Sequence, residues 1–282
     1  MFNREPETKN FVCDYIRNHF SHKPNINIIS GGCSTGEEAV TYSMLLYDMK
    51  NNVNILGIDI GKKAIKQAKS REYIFSIPDS KINLSEYYND ISQSEFSDNY
   101  LINPNIKGLT PTEYRFKSLF NEFFEPVPDT KVERLLKYFK KMIDDENQTC
   151  FRTEKKKYKL KDGMADNCRF IQGDISDIDK LMKDEKADVI SFSNAMYHLT
   201  TKNLCYGERE PIENREEIVK TLLTKFKNCL NDNGIVVFGE REEEQMLDNI
   251  TIPKVMNELG FQPLNKTDNH SANVWKLNKN YN

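Results

Sequence analysis

The fold is decided by one stretch of the chain, Asn25-Ile26-Asn27-Ile28-Ile29-Ser30-Gly31-Gly32-Cys33-Ser34-Thr35-Gly36. Its first half is a short alternating run with β-branched apolar residues, which predicts a strand. Its second half holds glycines at 31, 32 and 36, which predict a tight turn. A helical pattern follows over 37–50, where Val40, Met44 and Tyr47 recur at helical spacing. The stretch therefore predicts a strand, a glycine loop and a helix in direct succession.

The same succession of strands and helices returns in the rest of the chain. Further strands are predicted over 53–60, 168–174, 187–193, 235–238 and 272–277. One helix is expected to begin just after Gly61, and a long one carries Ile218, Leu222 and Phe226 at helical spacing. A turn is predicted at 231–234. Because strands alternate with helices, we expect an α/β fold, with a mostly parallel sheet and helices on both faces.

The periodicity changes between residues 93 and 167, which indicates an inserted subdomain. Residues 131–143 place apolar side chains on one helical face. The basic stretch at 152–161 is interpreted as a solvated loop, with contact to an acidic partner or to phosphates as the alternative. The expected division is an N-terminal segment or helix at 1–24, a sheet domain at 25–92 and 168–282, and the inserted subdomain at 93–167.

The composition excludes several broad classes of protein. The chain has 282 residues, with Lys+Arg 40 against Asp+Glu 43, so no strong field of either sign favours general binding of nucleic acid. No apolar run approaches the roughly 20 residues needed to cross a bilayer, and membrane insertion is not expected. The six cysteines form no C-x-x-C pair. We therefore expect reduced thiols, no metal site built by the protein, and a cytoplasmic location.

Polar residues follow the first two predicted strands, and open parallel sheets bind their ligands beyond these carboxyl ends. The glycine loop would let a ligand approach the backbone closely, and Asp59 can accept two hydrogen bonds from a ribose diol. Glu37 and Glu38 begin the next helix and would repel a pyrophosphate. We therefore expect a cationic nucleoside, and S-adenosylmethionine fits because its sulfonium and ammonium are positive. A tight connection and a helix cap are the alternative interpretations of the loop and of Asp59.

Several motifs together are more specific than any one of them. Residues 32–38, Gly-Cys-Ser-Thr-Gly-Glu-Glu, followed by Tyr42-Ser43, resemble the signature A-x-C-S-T-G-E-E-P-Y-S without its proline. Phe2-Asn3-Arg4-Glu5-Pro6-Glu7 and Phe11 are similar to the opening motif F-F-R-D-P-x-x-F. Ile58-Asp59-Ile60, the helix through Ala68 and Arg71-Glu72-Tyr73 resemble a T-D-I-D segment, its helix and a G-I-Y end. Residues 193–199, Ser-Asn-Ala-Met-Tyr-His-Leu, are similar to R-N-V-M-I-Y-F, and residues 239–242 to G-H-S-E.

These patterns belong to the CheR-type chemotaxis receptor methyltransferases, whose catalytic domain the chain resembles almost end to end. The resemblance implies a class I, Rossmann-like methyltransferase fold with a seven-stranded sheet and an inserted subdomain, and without the family's N-terminal helical domain. It also implies S-adenosylmethionine as cofactor and S-adenosylhomocysteine as product.

The resemblance also assigns residues to the site. Arg4 falls on an arginine that reaches the cofactor and reaction centre, Glu38 or Glu37 on an acid near the methionine end, and Asp59 on the ribose-binding acid. Asn194 falls on an active-site asparagine, and Asp174-Ile175 on a pair that frames the adenine. The expected cofactor-binding residues are Arg4, Gly31, Gly32, Cys33, Thr35, Gly36, Glu37, Glu38, Asp59, Ile60, Asp174, Ile175, Asn194 and Ala195. The expected catalytic residues are Arg4, Asn194 and His198.

Two departures from the family pattern leave the acceptor open. Ser193 replaces the arginine before the asparagine, and His198 replaces a tyrosine, so the groups expected to orient a substrate carboxylate are altered. A carboxylate acceptor needs no general base, whereas an alcohol, amine or phenol benefits from one, and histidine has an ordinary pKa near 6.5. The alternatives are a methyltransferase acting on a protein side chain, a small-molecule enzyme with the insertion as lid, and an inactive cofactor-binding regulator. His198 packed at a helix start is the plain alternative to His198 as base.

Overall fold

The structure is a computed structural model that describes ten ranges of the chain. These ranges are 5–50, 52–78, 119–120, 122–128, 153–183, 185–193, 195–203, 209–239, 252–265 and 273–278. The described residues fall into two compact units. The smaller unit lies within Ser70–Met164, and the larger within Arg4–Lys69 and Ala165–Asn282.

The helices and strands that the structure describes follow one another in this order. Up to the end of the smaller unit they are α1 (Pro6–Phe20), β1 (Ile26–Gly31), α2 (Glu37–Leu45), β2 (Val53–Asp59), α3 (Lys62–Ser70), β3 (Glu72–Pro78), β4 (Phe124–Pro126) and β5 (Thr153–Leu160). They continue with β6 (Cys168–Gln172), α4 (Ile178–Met182), β7 (Ala187–Phe192), α5 (Met196–Thr200), β8 (Thr201–Asn203), β9 (Arg209–Pro211), α6 (Arg215–Cys229), β10 (Leu230–Phe238), α7 (Ile252–Glu258), β11 (Phe261–Pro263) and β12 (Val274–Leu277). Short 3-10 turns follow α2 at Tyr47–Met49 and precede α4 at Ile175–Asp177.

A seven-stranded sheet forms the centre of the larger unit, with the strand order β11-β12-β10-β7-β1-β2-β6. β1 pairs in parallel with both β2 and β7, and Ile28 lies opposite Ile55 on one side and Val189 on the other. β12 is antiparallel to both of its neighbours. Along the chain, β2 and β6 join the sheet on one side of β1, and β7 and β10 join it later on the other side. The order therefore reverses between β1 and β7, where α/β sheets bind ligands, and the predicted fold class is confirmed.

The two faces of this sheet are covered by different helices. Ile29, on one face, belongs to a buried cluster with residues of α4, α6 and α7, among them Phe226 and Met256. Ile28 points to the opposite face, because neighbouring residues of a strand alternate. On that face α2 contacts β1, β2 and β6, and α1 contacts α2. Burial of both faces explains why the strands are apolar along most of their length.

The smaller unit contains an antiparallel sheet in the order β3-β5-β4. Tyr73, Phe120, Phe124 and Tyr158 pack edge to face or stacked in its aromatic cluster. The interpretation of the basic stretch as a solvated loop is therefore wrong, because residues 153–160 form β5. The lysine-rich β5 is stable as a strand because it pairs along its length with β3. Its Tyr158 and Leu160 lie on the face of the sheet that carries the aromatic cluster.

Two other expectations differ from the structure or lie beyond it. The turn predicted at 231–234 is contained within β10, whose pairing with β7 shifts register between Leu230 and Ile235. Asn233 takes a left-handed backbone there, with φ 61°, which satisfies the local turn signal without ending the strand. The helix predicted at 131–143 lies outside the described residues. The domain division at 93–167 stays a prediction, since most of that range is also outside them.

In the part of the chain that the structure describes, no helix is both long enough and apolar enough to span a membrane.

Candidate functional site

Several strands end side by side at one end of the sheet, which we name its carboxyl end. β1 ends at Gly31, β2 at Asp59, β6 at Gln172 and β7 at Phe192. Backbone contacts join the loops that leave these strands: the Cys33 N–H donates to the Ile58 carbonyl, and the Gly173 N–H to the Asp59 carbonyl, both at 3.0 Å. The loops after β1, β2 and β6 are therefore held together beside the point where the strand order reverses. We call the region that they border the crevice, because α/β sheets bind ligands at that point.

The glycine loop after β1 is closely covered by other parts of the unit. A Cβ atom on Gly31 would lie 2.9 Å from Ile175, and one on Gly32 would lie 2.8 Å from Ala195. Gly36 has φ 91°, and a Cβ there would lie 2.8 Å from the ring of Phe170. Gly32 and Gly36 are thus favoured both by their left-handed backbone and by close approach, and Gly31 by close approach alone. The structure brings together four predicted site residues here, since Ile175 and Ala195 lie against Gly31 and Gly32.

Asp59 holds the loop after β1 and the start of the next helix at the same time. Its Oδ2 accepts a hydrogen bond from the Ser34 N–H at 2.8 Å, and its Oδ1 accepts one from the Gly61 N–H at 2.7 Å. The plain alternative of a helix cap is therefore part of its role. Each carboxylate oxygen can accept a second hydrogen bond, so Asp59 is fixed in orientation and still able to bind a diol. The next side chain, Ile60, is 69% exposed.

Glu38 is held by a buried lysine that the sequence analysis did not single out. The Lys9 Nζ lies 2.7 Å from the Glu38 Oε1, and the Ser30 hydroxyl donates to the Oε2 at 2.7 Å. The Lys9 residue is only 2% exposed. Burial would raise the pKa of Glu38, but the charge and hydrogen bond of Lys9 and the hydroxyls of Ser30 and Ser193 outweigh burial and lower it. Glu38 is therefore an oriented anion.

Helix α1 contacts α2 with one face, and Lys9 lies on that face. Lys9 also lies over the ring of Tyr42, with the Nζ 5.2 Å from the ring centroid. Phe11, which was compared with the last residue of the opening motif, is 37% exposed on α1. Counted from Phe2, that motif position falls on Lys9. Because the motif has phenylalanine at that position, it gives no signal for a lysine that pairs with Glu38.

The neighbouring acid, Glu37, is bound differently. Both of its carboxylate oxygens lie 2.6 Å from the Thr35 hydroxyl, and Glu37 is buried. Cys33 is buried in the same loop, and burial, together with the negative charges of Asp59, Glu38 and Glu37, raises the pKa of its thiol. Cys33 therefore stays protonated at neutral pH and serves as a small apolar wall rather than as a nucleophile. Thr35 keeps Glu37 within the loop.

The loop after β6 contributes Asp174 and Ile175. Asp174 begins a 3-10 turn, and its Oδ1 accepts a hydrogen bond from the Ser176 N–H at 2.9 Å. The Gln172 amide donates to the Ile60 carbonyl at 3.3 Å, which ties the ends of β6 and β2 together. Asp174 and Ile60 therefore lie at adjoining strand ends, and the role of Asp174-Ile175 as the pair that frames an adenine stays a prediction.

The loop after β7 contributes the remaining predicted residues. Ser193 is half-buried and near enough to Glu38 to lower its pKa. His198 is exposed on α5, and its backbone N–H donates to the Ala195 carbonyl at 3.1 Å. Arg4 and Asn194 lie outside the described residues. Among the residues that the structure describes, no cluster of three or more His, Cys, Asp or Glu side chains is arranged to hold a metal ion.

Comparison with protein families gives two matches that together span most of the chain. Residues 1–115 match the model of the SAM-binding domain of CheR methyltransferases. Residues 138–278, half of the chain, match the model of a methyltransferase domain. No curated protein matches significantly.

The solved structures to which the chain is similar include several methyltransferases. A SAM-dependent methyltransferase from Geobacter sulfurreducens in complex with S-adenosylhomocysteine is 13% identical, with 94% of this chain and 67% of that chain covered and a TM-score of 0.40. A SAM-dependent methyltransferase from Thiobacillus denitrificans, also with S-adenosylhomocysteine, is 12% identical, with 92% and 65% covered and a TM-score of 0.38. The YcgJ protein from Bacillus subtilis is 10% identical, with 82% of this chain covered and a TM-score of 0.33. This chain spans about half of that protein's length, 49%.

The strand order, with the antiparallel β12 between β10 and β11, defines the fold as that of the class I α/β methyltransferases. The chain belongs to the family of the methyltransferase domain, whose model matches half of it. Its first part matches the model of the SAM-binding domain of CheR methyltransferases, and the cofactor is S-adenosylmethionine, as the resemblance predicted.

Proposed function

We propose that the crevice at the carboxyl end of the sheet binds S-adenosylmethionine through Asp59, Ile60, Asp174 and Glu38, and that the chain transfers the methyl group to an acceptor nucleophile. The observation that carries this proposal is the geometry of Asp59. Its two oxygens are oriented by backbone N–H groups of Ser34 and Gly61. A carboxylate that is fixed before the ligand arrives loses little entropy on binding a ribose diol.

The adenine and the methionine end would then lie on opposite sides of Asp59. The exposed Ile60 offers an apolar surface to the adenine. The Asp174 oxygen that does not accept from the Ser176 N–H can accept a hydrogen bond from the adenine amino group. Glu38, an anion held by Lys9, lies on the side of the glycine loop. This separation fits a ligand with a neutral base at one end and an ammonium group at the other.

S-adenosylmethionine supplies a methyl carbon activated by its sulfonium, and the acceptor's lone pair forms the new bond while the carbon–sulfur bond breaks. The chain's contribution is alignment and exclusion of water. Asp59 and Glu38 hold the ligand at two separated points. His198, exposed after β7, would take the proton from an acceptor that carries one, whereas a carboxylate acceptor has none to lose.

Calorimetric titration with S-adenosylhomocysteine tests the binding part of this proposal. We expect Asp59→Ala to weaken binding about 100-fold, because two hydrogen bonds to a charged acceptor are lost. Asp48→Ala is the matched control, since Asp48 is an exposed aspartate paired with Arg17 at 2.8 Å and lies away from the crevice. Affinity of Asp59→Ala within twofold of the unchanged protein, about the error of such a comparison, would contradict the ribose assignment.

The acceptor is tested by measuring formation of S-adenosylhomocysteine with carboxylate, hydroxyl and amine acceptors, on peptides and as small molecules. We propose a CheR-like transfer to a carboxylate or another nucleophile on a protein. With a hydroxyl acceptor, His198→Gln should lower the rate by about 100-fold, which is a usual rate enhancement by a general base. With a carboxylate acceptor, which has no proton to lose, the same variant should leave the rate unchanged. Loss of rate with both acceptors would show that His198 positions the acceptor and does not act as the base.

A further inference from the structure

Lys9 is a buried ionisable group near the crevice that the proposed transfer does not use. Its Nζ lies 2.7 Å from the Glu38 Oε1, and the side chain of Lys9 is 3% exposed against 17% for Glu38. Glu38 is therefore the partner that solvent or a ligand can reach, and Lys9 is the enclosed one. Burying a lysine is costly, and it is found where a specific partner compensates for the charge. Lys9 can thus reach a ligand only through Glu38.

We propose that Lys9 is a positioning residue that keeps Glu38 ionised and oriented at the methionine end of the crevice, so that cofactor affinity does not vary with pH across the neutral range. This inference rests on the proposed function, in which Glu38 receives the ammonium group of the cofactor. It goes further by assigning a role to a residue that does not touch the ligand.

The surroundings of the pair explain why Lys9 is needed. Glu38 accepts hydrogen bonds from Lys9 and Ser30 on its two oxygens, so both its charge and its orientation are fixed. The other described titratable groups that interact with the pair are acids or weakly acidic groups: Glu5, just before α1, and Tyr42 on α2 interact with Lys9, and Cys33 in the glycine loop interacts with Glu38. Among these described neighbours, none supplies a positive charge. Without Lys9, a partly buried Glu38 among acids would bind a proton near neutral pH.

A protonated Glu38 would change binding in a measurable way. It would lose the charge that attracts an ammonium group, and its proton would compete with the ligand for the same oxygens. Binding would then be linked to pH, with tighter binding above the pKa of Glu38 and weaker binding below it. With Lys9 in place, Glu38 has a lowered pKa and Lys9 a raised one, and neither titrates in the neutral range.

The experiment is calorimetry with S-adenosylhomocysteine from about pH 5.5 to about pH 8.5, on the unchanged chain and on Lys9→Met. The ligand's own titration is common to all variants. The unchanged chain should show affinities within about twofold over this range, and Lys9→Met should lose about tenfold in affinity from the alkaline to the acid end, since one unit of pKa corresponds to tenfold. Lys9→Arg, which keeps the charge, should restore the flat profile. The double variant Lys9→Met with Glu38→Gln should bind weakly and without dependence on pH.

Lys23→Met provides the matched control. Lys23 forms an ion pair with Asp188, a fully buried carboxylate at the opposite end of the strands. Its removal also leaves a buried carboxylate without its lysine, so a loss of stability alone would appear in both variants. The pH profile of binding should stay flat in Lys23→Met.

Each result has a definite meaning. A flat profile in Lys9→Met overturns the inference, and so does an equal dependence on pH in Lys23→Met. If Lys9→Met does not fold, Lys9→Gln keeps a donor to Glu38 without the charge and must show the same dependence on pH. An unchanged chain that does not bind S-adenosylhomocysteine contradicts the proposed function itself, whereas normal binding with a flat profile in Lys9→Met contradicts only the role of Lys9.

Discussion

Each end of the seven-stranded sheet carries an ion pair between a lysine and a carboxylate. The two ion pairs differ in their further hydrogen bonds and in which partner is exposed. At the amino end, Asp188 is 0% exposed and accepts from Lys23, from the Asn27 N–H at 2.9 Å and from the Asn231 amide at 2.9 Å. At the carboxyl end, Glu38 is bound by Lys9 and Ser30 but stays partly exposed. The lysine is the more exposed partner in the first pair, and the carboxylate in the second.

This difference separates stability from binding. All the donors of Asp188 belong to segments that begin neighbouring strands, so the pair joins the sheet together and offers no free group to a ligand. Glu38 presents its carboxylate on the side where strands end and where α/β sheets bind ligands. The same two residue types therefore join the strands where the acid is enclosed, and leave the acid open to solvent where the base is enclosed.

The largest expected effect is on the amino end. Asp188→Ala should lower the free energy of unfolding by about 4 kcal/mol, because it leaves the Asn27 N–H and the Asn231 amide without their acceptor and breaks a buried pair. Denaturant unfolding measures this loss, and calorimetry should show unchanged affinity for S-adenosylhomocysteine in the fraction that folds. A similar loss for Asp48→Ala, whose pair with Arg17 is exposed, would contradict the explanation.

A smaller effect is expected at the glycine loop, where Gly36→Ala should cost about 2 kcal/mol, since it adds left-handed strain to a clash with Phe170. Gly163→Ala is the matched control, because Gly163 also has a positive φ, 80°, but a Cβ there meets nothing within 4 Å. Denaturant unfolding should give the control the smaller loss. Only Gly36→Ala should also weaken binding of S-adenosylhomocysteine, and equal effects at both positions would contradict the role of Phe170.

The smallest effect on stability is expected when the whole pair at the carboxyl end is replaced. The double variant Lys9→Met with Glu38→Gln should unfold within about 1 kcal/mol of the unchanged chain at neutral pH, because apolar or neutral replacements of a buried pair are often tolerated. Its stability should differ in acid. The lowered pKa of Glu38 contributes stability that is present above the ordinary value of 4.5 and lost as pH falls through the lowered value.

Denaturant unfolding between neutral pH and about pH 3 therefore separates the two chains, since this interval includes the ordinary glutamate pKa of 4.5. The unchanged chain should lose more stability over this interval than the double variant does. Parallel losses would show that Glu38 has the same pKa in the folded and unfolded states.

Much of the sheet and of the crevice could be predicted because the signals are local. β1, the glycine loop and α2 follow one another within a few residues, and so do β2, Asp59 and Gly61. A turn, an alternating strand and an acidic strand end each leave a mark at a fixed spacing. These signals identified Asp59 and the loop without any knowledge of which strands pair.

The features that the sequence did not predict depend on distant partners. Lys9 looks like one of many surface lysines until α1 lies against α2 and meets Glu38, 29 residues later in the chain. The strand β5 reads as a charged loop because its partner β3 lies far from it in sequence, and its pairing decides its conformation. The register shift in β10 likewise depends on β7. Burial of a charge and pairing of a strand are properties of the folded chain, not of the segment.

The way the strands are added to the central sheet bears on how the protein is made. Asn27 and Asp188 are bonded across β1 and β7, yet they are 161 residues apart along the chain. Non-local pairing of this kind slows folding, because a long loop must close before the contacts are gained. A nascent chain that has emerged only as far as β2 already holds the glycine loop and Asp59 but lacks the strand on the other side of β1. We therefore expect truncated translation products that stop before β7 to be incapable of binding the nucleoside and to depend on chaperones for protection of the open side of β1.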